Sequence, residues 1–382
     1  MIPLSIPNIS GNELKYVKDC LDTGWISSAG EYVNKFEEAI QNYTGAKYAI
    51  ACMNGTAGLQ VSLILAGVTN KDIVIAPNLT FVATLNAISY TSAQTILIDN
   101  CEDSWQIDVN LLEQWLIKNT TTTIIEDKPI TIEKLSGKKV GAIMPVYVLG
   151  GFVNMGKLLK ISAKYGIPII EDSTEALGSF KEGKHAGTFG LTGVLSFNGN
   201  KIISTGGGGM ILTNSKDIAI RARHITTTAK SDPLEYFHDE VGYNYRLVNV
   251  LAAIGVAQME NFEQILKRKK EIDALYKKEL RDVGDIKFQM NDIDSNPNCW
   301  LFTFRTKKMR DLLIYLNSKQ IQSRPFWTPM NKLPMYKDLI YINEHDISNK
   351  IFKECISIPS SSNLSLSDQQ KVISEIKKFY KK

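Results

Sequence analysis

Lys201 stands in a setting that suits chemistry. It ends the run Ser196-Phe-Asn-Gly-Asn-Lys201 and is followed by Ile-Ile-Ser-Thr and four consecutive glycines, Gly206–Gly209. A lysine between a strand end and a glycine-rich turn, with few charges around it, is a candidate amine nucleophile. The competing reading is a solvated surface group, which describes most of the 44 Lys and Arg residues. Pro168-Ile-Ile-Glu-Asp172 reads as a buried strand ending in two carboxylates. Asp172 at such an end suits a cationic ring nitrogen, a ribose or a metal, and equally a helix N-cap. Met53-Asn54-Gly55-Thr56-Ala57 follows the apolar run Tyr48–Cys52 and opens a helical stretch. Small residues there let backbone N–H groups approach a phosphate, with the Thr56 hydroxyl beside them. An ordinary strand-to-helix turn has the same look. Gly242-Tyr-Asn-Tyr-Arg246 precedes an apolar helix, where Asn244 and Arg246 either reach an anion or simply lead into the helix.

Other chemistries lack their signatures. There is no GxxxxGK[ST] phosphate loop, no GxGxxG opening a helix after the first strand, and no GxSxG elbow. The four histidines, His185, His224, His238 and His345, show no metal-ligand spacing, so no metal is expected. His185, in a glycine-rich stretch, reads as a loop residue. The 44 basic and 40 acidic residues leave a net charge of +4, spread along the 382-residue chain, which argues against a nucleic-acid coat. No stretch approaches 18 consecutive apolar residues, so no membrane span is expected. The five scattered cysteines form no CxxC pair, and Met1–Ser10 carries no basic, apolar leader. A soluble protein of the reducing cytoplasm is the expectation.

The elements that must position these residues alternate between strand and helix. Short apolar runs fall at Tyr48–Cys52, Ile73–Ala76, Thr95–Ile98, Ala142–Val146 and Ile167–Ile170. Helical stretches such as Ala57–Leu65, Phe81–Ser89 and Met155–Tyr165 separate them. This order predicts an α/β fold with a parallel sheet covered on both faces. Val194–Phe197 and Gly209–Leu212 read as two more strands that pair as a hairpin. Ser10-Gly-Asn-Glu13 predicts a capping box with Ser10 as N-cap. The polar, Thr-rich segment Asn119–Lys139 reads as a loop. One continuous helix from about Val250 to Arg281 is expected to act as a hinge between a large domain, residues 1–250, and a smaller C-terminal α/β domain, residues 251–382. The latter holds a strand at Trp300–Arg305, a helix at Met309–Lys319 and a terminal helix at Ser367–Lys382.

The order of these motifs is more specific than any one of them. Together they resemble the pyridoxal-phosphate-dependent sugar aminotransferases of the DegT/DnrJ/EryC1/StrS family, of the aspartate aminotransferase-like fold type I. Trp25-Ile-Ser-Ser-Ala-Gly30 and Pro77-Asn-Leu-Thr-Phe-Val-Ala-Thr84 extend the likeness, which runs from Ile6 to at least Trp327. The resemblance implies a large domain with a mostly parallel central sheet and pyridoxal 5'-phosphate as cofactor. Lys201 would carry the cofactor and Asp172 would face its ring nitrogen. Gly55, Thr56 and Ser196 would hold its phosphate, Asn54 and Asn198 would also bind the cofactor, Phe81 would stack on its ring, and Glu175 would lie near the ring hydroxyl. Asn244 would reach the phosphate from the second subunit of a homodimer with shared active sites. Trp25, Ser28, Arg246 and Arg324 are expected at the substrate.

The resemblance further implies amino transfer from L-glutamate, leaving 2-oxoglutarate. Relatives that are sugar dehydrases carry His where Lys201 stands, so transamination is favoured over lyase chemistry. A cofactor-binding regulator would need a DNA-binding segment, and none is visible. Ser196–Lys201 and Thr205–Met210 are similar to members acting at C4 of UDP-linked 2-acetamido-4-keto-6-deoxy sugars in surface-glycan synthesis, with Gly207 where many others have Glu. A dTDP-linked 3-keto or 4-keto sugar is the alternative. Tyr147 and Asn331 stand where many relatives have His, and Asn78-Leu79 replaces a pair that usually contains Ser. These departures bear on sugar recognition.

Overall fold

The computed structural model describes residues 1–232 and 234–381. Strands Tyr48–Cys52, Gly209–Thr213, Thr192–Ser196 and Ile170–Asp172 lie side by side in that order, antiparallel at the first two contacts and parallel at the third. Strands Ile340–Ile342, Gln94–Ile98, Asp72–Pro77 and Lys139–Ile143 form a parallel run in a second sheet. Parallel bridges at Ile143–Ile169 and Val146–Asp172 join the two runs into one mostly parallel array.

Alternation along the strands assigns their faces. Ile73 and Ile75 pack with Leu112, Leu158 and Ile161 from helices Val109–Asn119 and Met155–Tyr165. Val74 and Ala76 pack on the other side with Leu59, Leu63 and Leu85 from helices Gly55–Leu65 and Ala83–Tyr90. Burial on both faces is why Asp72–Pro77 reads as an unbroken apolar run.

A second core gathers Tyr276, Leu280, Phe302, Phe304, Leu316, Ile356 and Ile376 around strands Phe302–Arg305 and Cys355–Ile358. Two segments cross the division expected near residue 250. Ile2 belongs to this second core and bridges to Ile321. Strand Ile340–Ile342 returns to pair with Gln94–Ile98 in the first.

Three local expectations are corrected. Asn119–Lys139 is not a loop: Thr120–Ile125 and Lys128–Glu133 pair as an antiparallel hairpin. Its β-branched residues favour a strand, and Glu126 and Asp127, both at positive φ, make the two-residue turn. The outer strand is largely exposed, and its run of four threonines mimics a loop. The capping box at Ser10 does not form. The helix starts at Glu13, whose buried carboxylate accepts from the Gly11 N–H at 2.8 Å and Gln258 Nε2 at 2.5 Å. That draws Glu13 toward helix Asn249–Glu260 and away from Ser10. The expected continuous helix is broken at Asn261, giving Asn249–Glu260 and Phe262–Leu280. The terminal helix runs Leu366–Lys381; Lys382 lies outside the described residues. Among the described residues no helix is long and apolar enough to cross a membrane.

Candidate active site

A cavity of about 530 Å³ opens where strands Tyr48–Cys52, Ile170–Asp172 and Thr192–Ser196 end. Carboxyl ends of strands are where ligands sit in such sheets. Residues of the C-terminal part, Trp300, Arg324, Phe326, Trp327 and Ser357, close the other side. Trp327 lies 6.2 Å from Phe81 and 6.4 Å from Trp300, ring centre to ring centre, so the wall is a continuous aromatic surface.

Lys201 is fixed by the turn that carries it. Its N–H donates to Asn198 O at 2.9 Å, and the Phe197 N–H donates to Gly208 O at 2.9 Å, so the glycine run closes the loop back onto the strand. The side chain is 11% exposed, and its Nζ lies 3.8 Å from Glu175 Oε1 and 4.2 Å from the centre of the Trp300 ring. Burial lowers the pKa of this amine; the carboxylates of Glu175 and Asp172 push back upward. Glu175 is buried and accepts from the Leu149 N–H at 2.8 Å. Burial raises its carboxyl to about 7, against the pull of Lys201. The shifts bring the two groups toward each other, the amine downward and the carboxyl upward, which suits an acid–base pair.

Alternation separates the two adjacent carboxylates at the strand end. Asp172 is 3% exposed and accepts from Thr84 Oγ1 at 2.7 Å and Thr174 Oγ1 at 2.8 Å. It lies behind the cavity wall yet acts electrostatically on Lys201 and Glu175. Glu171 turns to the opposite face. There it takes the Tyr147 hydroxyl and the N–H groups of Gly187, Phe189 and Gly190, at 2.9, 2.7 and 2.6 Å. Tyr147 is thus engaged in the core rather than at a ligand.

The phosphate cradle expected from Asn54-Gly55-Thr56 has a physical basis. Asn54 is the N-cap of helix Gly55–Leu65, its Oδ1 accepting from the Ala57 N–H at 2.8 Å. The N–H groups of Gly55 and Thr56 have no acceptor among the described residues, and both residues line the cavity with Ser196 and Asn198. A Cβ on Gly55 would come within 3.0 Å of Thr174 Cγ2 and 3.1 Å of Ser196 Cβ. Glycine thus keeps the helix start against the Ser196 hydroxyl. Two free N–H groups at a helix start and two hydroxyls fit a phosphate. A lysine amine lining the same cavity and a fixed carboxylate behind its wall fit the aldehyde and the ring nitrogen of pyridoxal phosphate.

Not every expected residue comes to this cavity. Lys201, Asn54, Gly55, Thr56, Phe81, Glu175, Ser196, Asn198 and Arg324 line it. Trp25, Ser28, Asn244 and Arg246 do not. Trp25, Ser28 and Asn244 are exposed. Arg246, expected at the substrate, is instead buried against Glu37 at 2.9 Å and the Ala51 carbonyl at 3.0 Å. It ties helix Glu31–Thr44 to the first strand. His185 is not in a loop: it is buried in the short strand Lys184–His185 and accepts from the Gly178 N–H at 2.9 Å, with burial pulling its pKa down to about 4.

Sequence reasoning missed Trp300, Thr84 and Thr174, which hold the lysine and the aspartate. Their only signal is that a Trp at the start of an apolar run and hydroxyls near strand ends are available to a site. It also missed that His224, Asp239 and Glu240 bring ligand atoms within 4.8 Å of one another. Arg221 pairs with both oxygens of Glu240, so this group is internally balanced.

The fold and the site define a pyridoxal-phosphate-dependent aminotransferase of fold type I. Residues 7–377 match the DegT/DnrJ/EryC1/StrS aminotransferase family, and the chain belongs to it. It is 34% identical over 382 residues to the GDP-perosamine synthase of Escherichia coli O157:H7, covering 99% of this chain and 98% of the relative. To the GDP-perosamine synthase of Caulobacter vibrioides it is 32% identical over 381 residues, covering 98% and 97%. A DegT DnrJ EryC1 StrS aminotransferase from Brucella abortus shares the fold with a TM-score of 0.89 at 24% identity, over 97% of this chain and 96% of that one. Helicobacter pylori PseC, an aminotransferase involved in pseudoaminic acid biosynthesis, does so with a TM-score of 0.87 at 22% identity, over 100% and 99%. The enzyme is a sugar aminotransferase acting on nucleotide sugars, and pyridoxal phosphate is its cofactor.

Proposed function

We propose that the enzyme moves the amino group of L-glutamate to C4 of a nucleotide-linked 4-keto-6-deoxy sugar. The observation that carries this reading is the buried Lys201 amine, 3.8 Å from Glu175 and in the same cavity as the helix-start phosphate cradle. Asn54, Gly55, Thr56, Ser196 and Asn198 hold the cofactor phosphate, and Phe81 covers the ring. Asp172, locked by Thr84 and Thr174, keeps the ring nitrogen protonated. When bound, pyridoxal phosphate supplies an electron-poor ring that weakens a bond on the carbon bearing the amine. Lys201, freed and neutral, would take the proton from the glutamate α-carbon and hand it to the cofactor carbon that bears the amino nitrogen; with the keto sugar it would run the same transfer in reverse. The aromatic wall excludes water from that exchange. Donor and acceptor use the site in turn, so ping-pong kinetics follow.

Arg324 is the charged group on the small-domain wall of the cavity. It suits a substrate carboxylate or phosphate. The GDP-perosamine synthase relatives favour a GDP-linked sugar over the UDP-linked 2-acetamido sugar suggested by Ser196–Lys201 and Thr205–Met210. Asn244, Trp25 and Ser28 are exposed and away from their own cavity, which supports a homodimer in which they serve the partner's site. Incubation with glutamate and a panel of GDP-, UDP- and dTDP-linked 3-keto and 4-keto sugars, read by mass, tests the reading. No aminated product from any of them would refute it. Inactive Lys201→Ala and Asn244→Ala chains that regain no activity on mixing would refute the shared site.

A further inference from the structure

The Lys201 amine has a second neighbour besides Glu175. Its Nζ lies 4.2 Å from the centre of the Trp300 ring, well inside the range in which an aromatic face attracts a cation. The indole cannot swing away, because it is 2% exposed and held from several sides. Its Nε1–H donates to the carbonyl of Asn200, the residue before Lys201, at 2.7 Å. Its backbone N–H donates to Asn298 Oδ1 at 3.1 Å, and its carbonyl accepts from the buried Lys269 amine. That amine also donates to Ser360 O at 2.5 Å, so one lysine ties the Trp300 backbone to the second core. Trp327 stacks near it with a 26° angle between ring planes.

Resting on the role of Lys201 proposed above, the amine must leave and rejoin the cofactor in each half-reaction. During that time it has to stay close without locking into an ion pair. A carboxylate alone would hold the charged form and accept its proton. An aromatic face attracts the cation without fixing it in a hydrogen-bonded pair, and it takes no proton from it.

We propose that the indole face of Trp300 is the seat of the Lys201 amine whenever that amine is not joined to the cofactor. Trp300 is then a positioning residue for both half-reactions. The charged groups around the amine are few. Glu175 and Asp172 face it from the segment at the end of strand Ile170–Asp172, and Arg324 stands on the opposite wall. Neither the start of helix Gly55–Leu65 nor the Asn198–Asn200 turn brings a charged side chain to the cavity.

The test uses the full chain freed of cofactor. Trace acetylation with acetic anhydride between pH 6 and 10, with the Lys201 peptide quantified by mass, reports the fraction of neutral amine. A face that stabilises the cation raises the pH at which the amine becomes reactive, so W300L should lower that pH by roughly 0.4 to 1.5 units. W300F keeps a face but loses the Nε1–H donor, and should restore most of the difference. The rate at which added pyridoxal phosphate rejoins the lysine at pH 7.5 should change in W300L by roughly 2- to 30-fold. Identical acetylation profiles in all three proteins would overturn the proposal. So would equal shifts in W300L and W300F, which would assign the effect to the Nε1–H bond. Should W300L not fold, W300M fills the space without a face and takes its place. Failure of the unaltered chain to bind pyridoxal phosphate would refute the proposed function and leave this titration standing.

Discussion

Replacing Glu175 by glutamine isolates one buried charge. The side chain is 4% exposed, and its pKa is raised from an ordinary 4.5 to about 7, chiefly by burial. Between those two values the folded chain keeps a proton that the unfolded chain has released. Stability therefore falls as pH rises from 4.5, and the loss is complete just above 7. A shift from 4.5 to about 7 is about 2.5 units, which at 1.36 kcal/mol each amounts to about 3 kcal/mol. Glutamine can still accept from the Leu149 N–H, so that contact survives. The depressed pKa of Lys201 acts with the opposite sign, between its folded value and 10.5. Urea unfolding of both cofactor-free chains at pH 4.5 to 8 is the assay. The variant should gain on the parent with rising pH, by about 3 kcal/mol over the window. A difference constant to within about 0.5 kcal/mol would refute the burial argument. At high pH the sign reverses for the amine. Without the Glu175 charge, the Lys201 pKa should fall further, and amine reactivity should begin at lower pH.

Three further outcomes follow from the geometry. Lys201→Ala should fold, as judged by circular dichroism, but show no visible absorbance of lysine-bound cofactor and no amino transfer. Glu37→Gln removes the charge shared by Arg246 at 2.9 Å and Arg223 at 2.7 Å, leaving a buried guanidinium uncompensated. Urea denaturation should show a loss of about 3–5 kcal/mol. Gly55→Ala places a Cβ 3.0 Å from Thr174 Cγ2 and 3.1 Å from Ser196 Cβ, so the cradle must open. Titration with pyridoxal phosphate should show affinity weakened by roughly 10-fold, with unfolding little changed.

Local pattern determined much of this protein. The alternating apolar runs specified strands and helices, because a strand buried on both faces must be apolar throughout. The helix start at Asn54-Gly55-Thr56 and the turn around Lys201 were legible because their chemistry is carried by neighbours in sequence. Polar residues on an exposed hairpin at 120–133 concealed strands, since alternation shows only where one face meets a core. Only the tertiary structure decided which residues act on each side chain. It placed Arg246 against Glu37, 209 residues away, and turned Glu171 away from the cavity while Asp172 met Thr84. It also set Trp300 over Lys201. Such contacts join residues that are close only after two cores have packed, and spacing along the chain does not encode that distance.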